Sequence, residues 1–280
     1  MNFELLRVGI ALAGVGFAAW QDQKTSYIDD RVLYAMIIAG ALLDLATLDA
    51  NFIYPTFLGF AFIMLLGYAA FRAGWFGAGD AYLLAGIHLL LPLPVALTQF
   101  AVPSYLLVLP PVATIFVTAS LFATVGSAAF YARRLWGEHA SVFKKPKAAF
   151  YFVVAFGLPV ALLPLGLGAL QWFAFSLFAE SSLFFLVFKN EVSEKLIVKK
   201  VPLAKVEDED LIATDKMPAA LVKRLKIGKV ATKEVMARLR RARVSSIWVH
   251  KSLPRFGPYI LAALLAALLT GDFAAFLLLS

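Results

Sequence analysis

Long apolar stretches follow one another along the chain, and they constrain its fold more than any other feature. Hydrophobic residues make up 61% of the sequence and charged residues only 16%. An α-helix needs roughly 20 mostly apolar residues to cross the hydrocarbon core of a bilayer. The sequence therefore predicts an all-α polytopic membrane protein with about eight transmembrane helices (six to eight). The predicted helices are at about 3–20, 32–48, 54–71, 80–97, 104–132, 148–168, 170–188 and 257–279.

Lysine and arginine residues predict which side of the membrane each loop faces. Cytoplasmic loops of membrane proteins carry an excess of these two residues. The basic connections are 21–31, 133–147 and 189–255, whereas 49–53, 98–103 and 165–169 contain neither Lys nor Arg. Eight helices with both termini outside place all basic connections in the cytoplasm. This pattern also requires that 148–188 be two helices, broken near Pro164–Gly168.

A basic insert lies between the membrane segments. Residues 189–255 contain 17 Lys and Arg against 8 Asp and Glu, whereas the rest of the chain has a net charge of −1. The predicted organisation is a transmembrane domain over 1–188, a basic cytoplasmic domain over 189–255 and a C-terminal transmembrane helix over 256–280. Basic patches next to a membrane helix usually contact anionic lipid headgroups. Anionic membrane lipids are therefore a predicted partner, and nucleic acid is not.

The insert has the pattern of a small α+β fold. Strand-like segments are predicted at Leu196–Val198 and Ile247–Val249. Between them, Pro218 could open one helix that ends near Gly228. Thr232 could cap a second helix that runs to Arg243.

The segment Gly77-Ala78-Gly79-Asp80 lies where one apolar stretch ends and the next begins. Asp is a favoured N-cap and glycines form turns readily, so capping of the next helix is one interpretation. An ionisable group at a membrane boundary is costly unless it is solvated or partnered, which also makes Asp80 a catalytic candidate. Gly77 and Gly79 would let an extended peptide approach the backbone, so they are candidate substrate-binding residues.

A second group of acids follows the first predicted helix. Asp22, Asp29 and Asp30 lie within nine residues of one another in a predicted loop. If the fold brings one of them to Asp80, the two carboxylates can share a proton and activate a water molecule. Chemistry alone does not decide which acid would do so. Asp29 or Asp30 could instead cap the second helix, or attract a basic peptide.

Other reactive groups are few. The chain has no cysteine, which excludes disulfides and Cys-ligated zinc. Three scattered histidines lack metal-ligand spacing, so we predict neither a metal site nor a cofactor. His88 is about 12 Å along a helix from Asp80, too far for direct catalysis. Glu180 interrupts an apolar stretch and is predicted to form a structural ion pair.

The two acidic segments together resemble a known family. Asp-x-Lys-x-x-x-Ile, read from Asp22 to Ile28, and Gly-x-Gly-Asp at Gly77–Asp80 are similar to the motifs of type IV prepilin peptidases. The resemblance covers roughly residues 5–95. It is closer to the archaeal branch, the preflagellin and archaeal prepilin peptidases, which the basic insert before the last helix also fits.

The resemblance implies an aspartic endopeptidase of the cell membrane, multi-pass, with its active site facing the cytoplasm. It would remove short basic leaders from prepilin or archaellin-like precursors, with Asp22 and Asp80 as the catalytic acids. Asp29 and Asp30 could then attract the leader. Without cysteine, the cysteine tetrad and methyltransferase activity of bacterial relatives are not expected. Ala81-Tyr82 replaces the Lys that many relatives carry after the second Asp.

Three other functions compete with this interpretation. A presenilin-type intramembrane protease places its first Asp inside a helix after a Tyr, whereas Asp22 follows Gln21 in a predicted loop. A proton-coupled transporter would use membrane-edge acids as a relay, and it would show internal repeats or paired broken helices. A lipid-binding scaffold would use only the basic insert.

Overall fold

The computed structural model describes residues 3–74, 76–95, 97, 110–207, 210–251, 253–273 and 275, and it is mainly α-helical. These residues include helices α1 (Glu4–Thr25), α2 (Asp30–Leu45), α3 (Ala50–Arg72), α4 (Ala78–Leu90), α5 (Pro111–His139), α6 (Pro146–Leu162), α7 (Ala169–Glu191), α8 (Ala219–Leu225), α9 (Lys233–Arg241) and α10 (Gly257–Thr270). Strands β1 (Val198–Pro202), β2 (Leu211–Ile212) and β3 (Ser246–His250) form one small sheet.

Four helical stretches are long and apolar enough to cross a membrane, so the chain is a membrane protein. They are Ala50–Arg72, Pro111–Lys144, Pro146–Leu165 and Ala169–Ile197. The predicted count of eight spans is not confirmed. Helices α2, α4 and α10 have 16, 13 and 14 residues, fewer than the roughly 20 that a straight crossing needs.

Several predicted boundaries differ from the observed ones. The predicted loop position of Asp22 is wrong, because α1 continues to Thr25 and includes it. Polarity marks the end of an apolar stretch but not the end of a helix, since Gln and Lys are good helix formers. The predicted break between the sixth and seventh helices is confirmed, with Gly166 in the left-handed conformation (φ 65°). Parts of the predicted helices 80–97 and 104–132 lie outside the described residues.

Helix α4 lies at the centre of the helical packing. It packs on α2 and α3 and also contacts α1 and α5. Helix α10 packs between α1 and α5, and α7 packs between α5 and α6. The largest buried apolar cluster combines side chains from α1, α2, α4, α5 and α10. The start of α4 is therefore held by several neighbouring helices.

The insert has the predicted α+β character. Its strands pair antiparallel in the order β1-β3-β2, and α8 and α9 contribute to its apolar core. The strand predicted at Ile247–Val249 is confirmed, as are both helices, and Thr232 caps α9. The strand predicted at Leu196–Val198 is mostly wrong. Leu196 instead lies in a helical segment over Val192–Ile197 and is buried against side chains of α5 and α7.

The insert contacts the connection between α3 and α4. Gly74 in that connection has φ +70°, a conformation that favours glycine. A Cβ atom there would lie 3.2 Å from Cβ of Lys229 and 3.5 Å from Cδ2 of Leu211. The insert therefore lies close to the segment that leads into Gly77–Asp80.

Candidate active site

Asp80 lies in the first turn of α4. The N-cap is Gly77, so the interpretation of Asp80 as the N-cap residue is wrong. Asp80 is the third residue of the helix, and its carboxylate accepts a hydrogen bond from the N–H of Gly77. This is the arrangement by which an acid at this position satisfies a free donor at a helix start.

Gly77 makes room for the Asp80 carboxylate. Its backbone angles (φ −75°, ψ 143°) suit any residue. A Cβ atom at Gly77 would, however, lie 2.9 Å from Oδ2 of Asp80. Gly77 itself is exposed. The absence of a side chain therefore leaves the carboxylate in place and the backbone beside it open.

Gly79 lies where the Gly77–Asp80 segment packs against the end of the Asp22–Ile28 segment. A Cβ atom at Gly79 would lie 3.8 Å from Ile28 and 3.9 Å from Leu33, both of which are ordinary contacts. Ile28 is buried and is the last residue of the Asp-x-Lys-x-x-x-Ile pattern. The segment after α1 thus packs directly on the first turn of α4.

Asp22 lies in the last turn of α1 and is buried. Its Oδ2 accepts a hydrogen bond of 2.8 Å from the N–H of Gly257, the first residue of α10. Arg255 lies within electrostatic range of the same carboxylate. Asp22 therefore has a donor and a cation beside it, as a buried carboxylate requires.

The structure brings Asp22 and Asp80 together. Their carboxylates are close enough to interact electrostatically. They come from different helices, α1 and α4, which contact each other directly. Two carboxylates within electrostatic range do not ionise independently, because the charge of one disfavours ionisation of the other.

Asp29 and Asp30 lie at the start of α2, at the other end of the connection that follows Asp22. Asp29 is the N-cap, and its carboxylate accepts a hydrogen bond of 2.9 Å from the N–H of Arg31. The capping interpretation of Asp29 is thus confirmed. Its own N–H donates to Oε1 of Gln21 at 3.0 Å. Asp30 is exposed.

Three residues at the start of α10 were not predicted as part of the site. They are Arg255, Phe256 and Gly257, and we call them the entry segment because α10 begins there. Arg255 Nε donates to Oγ of Ser26 at 3.2 Å, next to the end of α1. The ring of Phe256 lies 5.6 Å from that of Phe76. A Gly-Pro pair at the start of an apolar stretch was the available signal, since Pro favours the first turn of a helix.

The remaining polar groups have structural partners or lie apart. His88 Nε2 lies 3.0 Å from the carbonyl oxygen of Thr56. The ion pair predicted for Glu180 is not found among the described residues, although the Tyr151 hydroxyl lies within electrostatic range of it. Within the residues that the structure describes, no group of three or more His, Cys, Asp or Glu side chains could hold a metal ion.

The position of Asp22 in a helix affects one alternative. Two features of Asp22 distinguished the chain from a presenilin-type protease, namely a predicted loop position and a preceding Gln21 instead of Tyr. Only the second feature remains, because Asp22 lies in α1.

Comparison with known proteins gives a family for the part of the chain that contains both acids. No protein with a curated description matches the chain. The family model described as the type IV leader peptidase family matches residues 9–130. The match includes most of α1, all of α2 to α4 and most of α5, and thus both Asp22 and Asp80. This part of the chain is therefore similar to the type IV leader peptidase family.

Proposed function

We propose that the protein is a membrane-embedded aspartic endopeptidase that removes short basic leader peptides from prepilin or archaellin-like precursors. One observation carries the proposal: Asp22 and Asp80 come together from two helices inside the segment that matches the leader peptidase family. The family supplies the class of reaction, and the paired carboxylates supply a way to perform it.

The proposed chemistry uses one proton held between the two acids. The ionised carboxylate takes a proton from a water molecule, which attacks the carbonyl carbon of the scissile peptide bond. The protonated carboxylate donates its proton to the carbonyl oxygen. The first carboxylate then gives its proton to the leaving nitrogen and the C–N bond breaks. The second carboxylate takes back one hydroxyl proton, so the carbonyl re-forms as a carboxylic acid and the pair again holds one proton. No further reactant is needed.

The charge distribution supports a cytoplasmic site. Asp22 lies beside the basic connection 21–31. Asp80 follows the connection after Arg72, in which Gly74 lies close to Lys229 of the basic insert. Basic connections of membrane proteins face the cytoplasm. The apolar segment of a precursor would lie in the bilayer and keep its basic leader at that face. Asp29 and Asp30, on the connection after α1, would attract the Lys and Arg of the leader. Gly77 and Gly79 would let the extended peptide approach the catalytic carboxylates.

The basic insert would attach to the membrane surface. Helix α9 carries three arginines in its last turn, Arg238, Arg240 and Arg241. Near an anionic leaflet, each Lys or Arg contributes about 1 kcal/mol of attraction. We expect the purified protein to cleave faster in vesicles that contain anionic phospholipid than in neutral vesicles. Gln in place of Arg240 and Arg241 should reduce that difference.

The deciding experiment is cleavage by the reconstituted full chain. The substrate is a precursor with a Lys/Arg-rich leader and one apolar helix, and loss of the leader is followed on a gel. Asp22→Asn and Asp80→Asn should each slow cleavage by roughly 10²- to 10⁴-fold, because each removes a group that transfers a proton. The matched control is Asp49→Asn. Asp49 caps α3 through its side chain, and Asn caps equally well.

Wild-type rates in both Asp variants would refute the peptidase proposal. Proton-dependent transport that both variants abolish, with no cleavage by the wild type, would favour a transporter. For the leader contact, Asp30→Asn should raise KM for the basic leader and leave KM for a neutral leader unchanged. An equal effect on both leaders would contradict that role.

A further inference from the structure

The entry segment contacts Asp22 directly and also contacts the residue ahead of the Gly77–Asp80 segment. Gly257 donates to the carboxylate of Asp22, and the ring of Phe256 packs on Phe76, the residue before Gly77. The segment thus touches the end of α1 on one side and the start of α4 on the other. It also follows β3 after a short connection, so it links the insert to the site.

Gly257 is fitted closely to Asp22. A Cβ atom at this position would lie 3.0 Å from Oδ2 and 3.1 Å from Cβ of Asp22, and 3.2 Å from Cα of Ala19. The last contact is with backbone, which cannot move unless α1 moves. The first N–H groups of a helix have no partner within the helix, and Pro258 has no N–H at all. The N–H of Gly257 is therefore free to hold the carboxylate.

Arg255 adds a positive charge on the side of Asp22. Charged groups that act on the Asp22 carboxylate are Arg255, ahead of α10, and Asp80 in α4. Lys24 in α1 instead lies 4.3 Å from the centre of the Trp20 ring. The charged residues at the start of the neighbouring helix α2 are Asp29, Asp30 and Arg31. The nearby cation therefore favours the ionised form of Asp22.

Phe256 fixes the other side of the segment. Its ring lies 5.6 Å from that of Phe76 and 6.3 Å from that of Phe116 in α5, in edge-to-face geometry. The rings of Phe76 and Phe116 lie 5.9 Å apart. Three mutually packed rings hold the segment before Gly77 against the start of α10.

We propose that the entry segment positions the catalytic pair and assigns its protons, with Asp22 as the ionised base and Asp80 as the acid that carries the proton. Gly257 and Arg255 hold Asp22 in its ionised form. Phe256 keeps the start of α4 at the distance at which the two carboxylates share a water molecule. This inference rests on the proposed peptidase function. In it Arg255, Phe256 and Gly257 are positioning residues, because none of them transfers a proton.

The test measures kcat, KM and the pH profile of cleavage for the reconstituted full chain. Gly257→Ala should lower kcat by about 10²-fold and leave KM unchanged, since displacement of a reacting group by about 1 Å has an effect of that size. Arg255→Gln should move the acidic limb of the profile to higher pH, because ionised Asp22 loses its cation. Arg255→Lys should restore most of the wild-type profile.

Two glycine variants control for damage to the fold. Gly16→Ala lies in α1, where a Cβ atom meets nothing within 4 Å. Gly40→Ala is more crowded than Gly257→Ala, but its new Cβ would meet Leu89, at the opposite end of α4 from Asp80. Gly16→Ala should cleave as the wild type does. Gly40→Ala should lower thermal stability and leave kcat of the folded protein within about threefold of the wild type.

The inference is overturned if Gly257→Ala cleaves at the wild-type rate, or if Gly40→Ala loses as much kcat as Gly257→Ala. An unchanged pH profile in Arg255→Gln overturns it as well. If Gly257→Ala does not fold, the two Arg255 variants still decide the matter. The proposed function fails by a different result, namely wild-type cleavage by Asp22→Asn and Asp80→Asn.

Discussion

Helices α4 and α6 are both almost entirely apolar, yet their environments are opposite. In α4, all eight residues from Leu83 to Leu90 are buried. In α6, which has 17 residues, Ala148 alone is buried. Hydrophobicity therefore does not distinguish the helix at the centre of the packing from a helix whose apolar side chains face outward.

Small residues on neighbouring helices account for the difference. Gly67 of α3 lies directly against Ala81, and Gly40 of α2 lies directly against Leu89. Without side chains at these positions, three helices approach closely, which is the usual way that helices pack inside membranes. Helix α6 instead has large outward-facing side chains such as Phe156, and it packs mainly on α7. The helix with the candidate acid is thus closely packed against several helices, whereas α6 is packed mainly on one.

The largest expected effect on stability is at the ion pair beside α4. Arg7 and Asp44 are both buried and lie 2.7 Å apart, and Arg7 also donates to the carbonyl of Leu89. Arg7→Met leaves Asp44 buried without a cation and should lower the free energy of unfolding by about 3–5 kcal/mol. Arg134→Met, in an exposed pair on α5, should cost less than about 1 kcal/mol.

Unfolding in mixed detergent micelles, followed by circular dichroism, measures both changes. If the two variants lose the same free energy of unfolding, the buried pair beside α4 contributes no more to stability than the exposed pair does. Arg7→Met combined with Asp44→Leu should recover part of the loss, since it removes the uncompensated charge.

Truncation of apolar side chains gives the next largest effect. Ile87 in α4 is 0% exposed, and Phe156 in α6 is 78% exposed. Ile87→Ala should lower the free energy of unfolding by about 2–5 kcal/mol, because it leaves a cavity among packed helices. Phe156→Ala should change it by less than about 0.5 kcal/mol, because nothing packs around most of that ring. Equal losses in the two variants, measured by denaturation in micelles, would contradict the comparison.

Replacement of glycine by alanine tests the same difference in packing between α4 and α6, and its expected effect is smaller. A Cβ atom at Gly40 would lie 2.6 Å from Cβ and 2.8 Å from the carbonyl carbon of Leu89. Gly40→Ala should therefore cost about 1–3 kcal/mol. At Gly157 in α6 the Cβ atom meets nothing within 4 Å, so Gly157→Ala should leave the midpoint of thermal unfolding unchanged or raise it. A lower midpoint for Gly157→Ala would show that α6 is packed more tightly than described.

The smallest effect concerns the hairpin of α6 and α7. The indole N–H of Trp172 donates to the carbonyl of Pro159 at 2.8 Å, a contact that joins the two helices. Trp172→Phe keeps an aromatic ring and removes this bond, so it should cost about 0.5–1.5 kcal/mol. Trp136→Phe, at a mostly exposed indole on α5, is the control and should have little effect. Similar thermal midpoints in both variants would mean that the bond does not stabilise the hairpin.

Much of the fold was predictable because hydrophobicity and turn residues act locally. The break between α6 and α7 follows from Gly166 and the prolines near it, and the capping of α9 follows from Thr232. The end of α1 was not predictable from polarity, since the polar residues after Trp20 continue the helix. The count of membrane spans stays a prediction, because short helices such as α4 and α10 have the composition of a span without its length.

The candidate site was also predictable only in part. The sequence alone determined the two acidic segments and their resemblance to a peptidase family, because motif residues and their spacing are local properties. Only the tertiary structure decided that Asp22 lies within electrostatic range of Asp80, and that Gly257, 235 positions further along the chain, donates a hydrogen bond to Asp22. Such contacts depend on which helices pack together. That in turn depends on small residues such as Gly40 and Gly67, whose effect is visible only when the partner helix is in place.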